Sequence, residues 1–366
     1  MAVFERFRAI AASCPAFSVA APPGSLRCTD ARGAGAAPRW GVHGGGVQQI
    51  ERVIRSRGFF LRRRDLLALG YTDGAIQRAL RAHRIFRVRQ GWYSIPSAPE
   101  AGIRAVRVGG RLTGISALED LGLRVPRQAK LYVAVKPTAS RLRRSTDRRA
   151  RLLAEDAVRV SWTATGAGGT PWRVSISEAL LAVLNTETRD VAVACCSAAL
   201  RHRKITASAL LDVFAKAPAR ARRWSGLPSA LDDSHGETFV RLWLLDAGVP
   251  CEQQPYVPGV GHLDFRLSPH SYVEIDGAQH DPRWTGDTPS TYERDHDRDT
   301  SMSLDGARVQ RFTYRQLYSD WPRVLAAIER AIADDLALTA LRTRRPYRPV
   351  KRKRRRISAE QSPHAP

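Results

Sequence analysis

The sequence predicts an α+β multidomain protein on three observations. Residues 47–98 carry apolar residues at helical spacing followed by a short alternating hairpin. Three amphipathic helical stretches fall between Ile176 and Phe214. Two short alternating runs, His262 to Leu267 and Tyr272 to Asp276, flank a Ser-Pro-His-Ser turn near the C-terminal end. With 366 residues the chain is long enough for two or three domains of ordinary size.

Residues 1–46 are rich in Ala, Gly, Pro and Arg without periodicity and are expected to be a disordered leader. The Ala9–Ala21 run is too polar and too broken by Ser13, Cys14 and Pro15 for a signal peptide. A sharper expectation is a native start near Val42 or Val47. From Val47 the pattern changes. Val47, Ile50, Val53 and Ile54 share a helical face closed by Gly58, and Leu61 to Leu69 reads as a second helix ending at Gly70. Thr72 is the N-cap expected for a third, running to about His83. IFRVRQGWYSIP then reads as a hairpin around Gln90-Gly91.

Three short helices and a hairpin make a winged helix–turn–helix over residues 47–98, a motif whose third helix enters the DNA major groove. The expected DNA-binding residues are Thr72, Gln77, Arg78 and Arg81 on that helix, with Arg87 and Arg89 on the wing. Winged helices also serve as protein-docking modules, but here the basic residues concentrate on the reading helix and the wing. The arrangement resembles the N-terminal domain of AbiEi-type antitoxins of toxin–antitoxin systems, whose wing motif is matched by Gly91-Trp92-Tyr93.

Residues 99–225 form the mixed, largely helical middle region. RLTGISALEDLGL is expected to be a short helix, as in AbiEi-like proteins, and LYVAVKP a strand. Ile176–Leu184, Val191–Leu200 and Ala207–Phe214 are expected to be helices, and Ala219–Leu227 a basic linker. The basic run Arg141–Arg151 reads as a solvated loop. A net charge of +24 and a pI near 11.0 point to a polyanionic partner, with DNA first and RNA also open; the arginine-rich composition accounts for part of that charge. Five cysteines without a Cys-x-x-Cys pair support neither a zinc site nor a disulfide framework and fit a reducing cytoplasm. No apolar run is long enough to cross a bilayer, so a membrane partner is not expected.

In the stretch 261–280, strand alternation puts Phe265 and Leu267 on one side of the first run and Asp264 and Arg266 on the other. Glu274 and Asp276 lie opposite Val273 and Ile275 in the second. Three carboxylates therefore gather on one polar face, where a divalent cation is the usual reason to hold them together. A plain two-residue turn would pair Asp264 with Ile275 on the wrong side. A three- or five-residue connection, or a bulge, is required.

Asp264, then Glu274-x-Asp276-Gly277 and His280, resemble the variant PD-(D/E)XK core of the small endonuclease-like family related to very-short-patch repair endonucleases. The resemblance spans about Leu227 to Leu336. It includes Glu237 in SHGETFVRLWLLDAGVP and Arg294, Asp295 and Arg298 in a downstream helix, followed by a closing strand and a Phe-Thr-Tyr turn. Asp276 stands where the standard motif has lysine, a substitution the family shares, and this leaves the proton relay unassigned.

The resemblance implies a restriction-endonuclease-like α/β domain over residues 226–340 that hydrolyses DNA phosphodiester bonds with Mg2+ or Mn2+. Asp264 and Glu274 are the implied direct ligands, with the Ile275 carbonyl a third and Asp276 binding directly or through water. His280 is the candidate general acid or base. Glu237 has three open roles: binding a second metal, orienting water, or pairing with Arg241 one turn on. Arg294 and Arg298 either clamp a phosphate or pair with neighbouring aspartates. Residues 341–366 are expected to be a disordered basic tail adding salt-dependent affinity for nucleic acid. The protein is expected to be cytoplasmic and nucleoid-associated, and the rival expectation is a non-catalytic DNA-binding regulator, antitoxin-like, whose degenerate nuclease fold only supports binding.

Overall fold

The computed structural model describes residues 47–126, 128–164, 166, 168–276 and 307–344. The leader, the basic tail beyond 344, His280, Arg294 and Arg298 lie outside the described residues. The architecture is mixed α/β, built from helices and several small sheets.

Helix α1 (Val47–Ser56) buries Ile50 and Ile54 and ends before Gly58, whose φ of +86° suits glycine. Where a helix was expected from Leu61, residues Phe60–Arg62 form strand β1, and α2 begins only at Arg63 (Arg63–Ala68). The reason is tertiary: Phe60 and Leu61 pair with Ser94 and Tyr93, and both are buried. Helix α3 (Asp73–Arg81) is capped by Thr72, whose Oγ1 accepts from Ala75 N at 3.2 Å. It stops short of His83, which has a φ of +52°. Strands β2 (Phe86–Arg89) and β3 (Trp92–Ser94) form the expected hairpin across Gly91, and the sheet order is β1-β3-β2.

The middle region adds α4 (Glu100–Val108), β4 (Arg111–Leu112), α5 (Gly114–Asp120), β5 (Leu131–Val135) and β6 (Val158–Trp162). Strand β5 is buried along its whole length, which explains its continuous apolar run; β6, not foreseen, runs parallel to it. The three expected helices are α6 (Ile176–Thr186), α7 (Arg189–Arg201) and α8 (Ala207–Ala215). One apolar core runs unbroken from Ile50 to Ala221, so the N-terminal module and the middle region share it.

Two loop expectations need correcting. The stretch after Ala219 is not an open linker: α9 (Ala219–Arg222) buries Ala221, and Arg220 donates to the carbonyls of Leu184 and Asn185 at the end of α6. The Arg141–Arg151 run is not simply solvated either. Arg143 and Arg151 form an isolated antiparallel backbone bridge, and Arg148 Nη1 donates to Arg87 O on β2 at 2.6 Å.

Helix α10 (His235–Asp246) joins the two halves by packing on α7, with Trp243 Nε1 donating to Asp190 at 2.9 Å and Arg189 bridging Asp246. After it come β7 (Glu252–Gln253) and a small hairpin, β8 (Tyr256–Val257) and β9 (Gly261–His262). Strands β10 (Phe265–Ser268), β11 (Ser271–Asp276) and β12 (Arg308–Thr313) follow, then α11 (Tyr314–Ser319) and α12 (Trp321–Arg344). The sheet order is β12-β11-β10-β7, with β12 parallel to β11 and the other pairs antiparallel. Asp335 of α12 fixes the β10–β11 turn, accepting from Ser268 Oγ at 2.6 Å and His270 N at 2.9 Å. Helix α12 runs three residues past Leu341, where the tail was expected to begin. Among the described residues no helix is long and apolar enough to cross a membrane.

Candidate active site

Only Pro269 and His270 connect β10 to β11, which by itself would send Asp264 to the wrong side. The register shifts between Arg266 and Ser268, however, so that Phe265 pairs with Val273. Continued by one residue, this register sets Asp264 opposite Glu274, as the carboxylate grouping required. The bulge thus decides which face the acid reaches. Asp264 Oδ2 accepts from Ile275 N at 2.7 Å, and its own carbonyl accepts from Gln254 N at 3.0 Å.

Glu237 joins from α10. Ser234 caps that helix, its Oγ accepting from Glu237 N at 3.2 Å, which puts the glutamate in the first turn with its side chain turned inward. Only 6% of Glu237 is exposed, and its Oε2 accepts from Asp233 N at 2.9 Å and Gln254 Nε2 at 3.3 Å. The proposed pairing with Arg241 is not formed. Arg241 is held instead by buried Asp232, at 3.0 and 2.7 Å.

The carboxyls act on one another. Burial, then the charge of Asp264, pushes Glu237 up to about 8. Burial, then the charges of Glu274, Asp233 and Asp276, pushes Asp264 up to about 6 against the N–H of Ile275, which works the other way. Glu274 sits beside Arg311 on the parallel strand β12, Oε2 to Nε 3.0 Å, as the pairing of these two residues demands. Asp276 stands two residues on, level with Thr313.

Sequence reasoning missed Gln254, Arg311 and Tyr314. The Tyr314 ring lies against Gly236 and stacks on His235 at 5.5 Å. Burial raises its phenol, and the charges of Glu237 and Asp264 add to that rise. Gly236, immediately before Glu237, was the available signal for such a close approach.

As for metal capacity, the donors are hard oxygens and their mutual repulsion is what a cation relieves. Among the described residues no three His, Cys, Asp or Glu side chains cluster closely enough to cage an ion alone. Mg2+ does not need such a cage, since it commonly binds through one or two carboxylates plus water and substrate phosphate.

On the N-terminal module, Thr72, Gln77, Arg78, Arg81 and Arg87 are exposed. Arg89 is not displayed with them. It is half-buried against Gly109 and donates to Arg141 O at 3.1 Å. No family model matches the chain, and no curated protein matches it.

Proposed function

We propose that the protein binds DNA through its N-terminal module and hydrolyses phosphodiester bonds, with a divalent cation, at the centre formed by Asp264, Glu274, Asp276 and Glu237. The observation that carries this reading is the electrostatic grouping of carboxylates from α10, from β11 and from the residue just before β10, with Asp264 and Glu237 held far above their ordinary range. Asp264 and Glu274 would hold Mg2+ or Mn2+, which when bound supplies a Lewis acid for the phosphate and an activated water. The Ile275 N–H orients Asp264, and Arg311 orients Glu274. Glu237 feels the charge of Asp264, shares Gln254 with it as a hydrogen-bond donor, and is a buried carboxyl that can orient water or move a proton. His280, Arg294 and Arg298 keep the roles of proton carrier and phosphate clamp as proposals.

The order helix, three antiparallel strands and a parallel fourth strand supports a PD-(D/E)XK-type core in this half. Helices α1 to α3 with the β1-β3-β2 sheet support a winged helix in the other. A second reading, a DNA-binding regulator without cleavage, is favoured by the Arg311–Glu274 pair, because an engaged carboxylate is a poorer ligand.

The test is cleavage of plasmid, mismatched duplex, single-stranded DNA and RNA with Mg2+ or Mn2+, comparing wild type with Glu274→Ala. Metal-dependent cutting lost in the variant establishes the centre, and the arm that is cut names the substrate. Well-folded protein that binds duplex but cuts nothing establishes the regulator.

A further inference from the structure

A second basic feature is lined by none of the carboxylates of the candidate centre and by no residue of α3. A groove of about 460 Å³ runs between the N-terminal module and the middle sheet. Its walls come from β1 and α2, the wing strand β3, the α4–β4 turn, the end of β5 and the turn at Pro171. Four cationic side chains line it, Arg62, Arg64, Arg111 and Lys136, against one acid, Asp65.

These side chains are held differently. Arg111 is fixed, donating to the carbonyls of Thr170, Gly166 and Arg173 at 2.8–3.1 Å, so it contributes charge rather than reach. The Arg62 guanidinium lies over the Trp92 ring at 4.8 Å. Asp65 accepts from Arg62 N at 3.1 Å and contacts exposed Arg64 at 3.5 Å. Lys136 is exposed and has no ion pair among the described residues. A groove with this excess of cations has an unsatisfied preference for an anion.

We infer that this groove takes the phosphate backbone of duplex DNA flanking the segment read by α3. The inference rests on the DNA-binding reading and adds to it a contact that identifies no bases. Continuity chooses a DNA strand over a free nucleotide. Arg63, between Arg62 and Arg64, donates Nε to Asp73 Oδ1 at 2.9 Å and so ties the groove wall to the first turn of α3. Trp92 belongs to the wing strand itself. A duplex seated on α3 and the wing therefore has the groove beside its backbone. Phosphate contacts of this kind position a protein on DNA and make affinity salt-dependent.

The experiment is fluorescence anisotropy of duplex binding by the full chain across a salt series, with three double variants. Arg64→Ala/Lys136→Ala removes the two exposed groove cations. Lys204→Ala/Lys216→Ala removes two exposed lysines outside the groove. Arg78→Ala/Arg81→Ala strips α3. The expected result is that the groove pair lowers the magnitude of the log K against log salt slope by about 2. It should weaken specific and random duplexes by the same factor, while the lysine control barely changes the slope. A groove pair indistinguishable from that control overturns the inference, leaving the reading of α3 intact if Arg78→Ala/Arg81→Ala still weakens binding. Wild-type protein that binds no duplex overturns both.

Discussion

Arg241 bonds Asp232 and not Glu237, although Glu237 lies one helical turn before it on the same helix. Asp232 is almost wholly buried and also accepts from Gln253 Nε2 and Thr238 Oγ1, so it takes both the cation and the neighbouring donors. Glu237 is left buried with N–H donors but no cationic partner among the described residues. A fold that only needed a stable helix would have no use for that arrangement, because an unpaired buried carboxylate is costly.

That cost sets a pH dependence. Glu237 titrates at about 8 in the folded chain against an ordinary 4.5, and Asp264 at about 6 against 3.8. Between those values the folded state holds more protons than the unfolded state, so stability falls as pH rises. Without divalent cation, the Tm is expected to drop between about pH 5 and 8. Glu237→Gln should flatten that drop and raise stability at pH 8 by on the order of a few kcal/mol. Thermal denaturation in EDTA checks this; parallel curves for the two proteins would contradict it.

Divalent cation should act in the opposite sense. Binding to the folded state alone stabilises it by about 2.7 kcal/mol at a hundredfold excess over Kd. Mn2+ is expected to raise the Tm of the wild type at pH 8 and to leave Asp264→Asn/Glu274→Gln unmoved. Equal shifts in both would place the cation elsewhere.

Asp232→Asn gives a different signature. It leaves the largely buried Arg241 guanidinium without its carboxylate, and breaking such a pair costs about 3–5 kcal/mol. Urea denaturation should show that loss at every pH from 5 to 8, unlike Glu237→Gln. A neutral result would mean that Arg241 finds another acceptor.

Tyr314 can be tested through its neighbour. A Cβ at Gly236 would collide with Tyr314 Cε1, so Gly236→Ala must displace the ring. Overpacking of this kind costs about 1–3 kcal/mol. Because Gly236 precedes Glu237, cleavage should fall further than the lost stability explains. Unchanged Tm and cleavage would show that the ring moves freely.

The sequence revealed local structure well and tertiary partners poorly. Thr72, Gly58 and Gly91 marked their turns because capping and positive φ depend on the residue itself. A bulge, or else a three- or five-residue connection, could be required in advance because one residue of register separates two faces of a strand, and the chain uses the bulge between Arg266 and Ser268. Strand β1 was read as helix because its partner Tyr93 lies some thirty residues on, where no local period can report it. Arg311 was invisible for the same reason: only the parallel pairing of β11 with β12 sets it beside Glu274. The carboxylate grouping was legible through alternation, whereas the choice of Arg241 between Asp232 and Glu237 is made by burial.

Arg87 and Arg89, both on β2, are held differently. Arg87 is exposed, with its guanidinium 5.8 Å from the Tyr93 ring and its Nη2 donating to the Tyr93 hydroxyl at a long 3.5 Å, so only a weak contact holds it from a phosphate. Arg89 is wedged against Gly109 and bonded to Arg141 O, and burial lowers its pKa, with the charge of Arg143 adding to the effect. Arg87→Ala is therefore expected to weaken duplex binding and reduce the salt slope by about 1, with Tm unchanged. Arg89→Ala should lower the Tm by removing the contact that pins the Arg141–Arg151 loop to β2, with binding reduced only as far as folding is. Anisotropy and thermal denaturation on both variants decide it. If Arg89→Ala weakens binding at full stability, its side chain must leave the Gly109 contact to meet DNA.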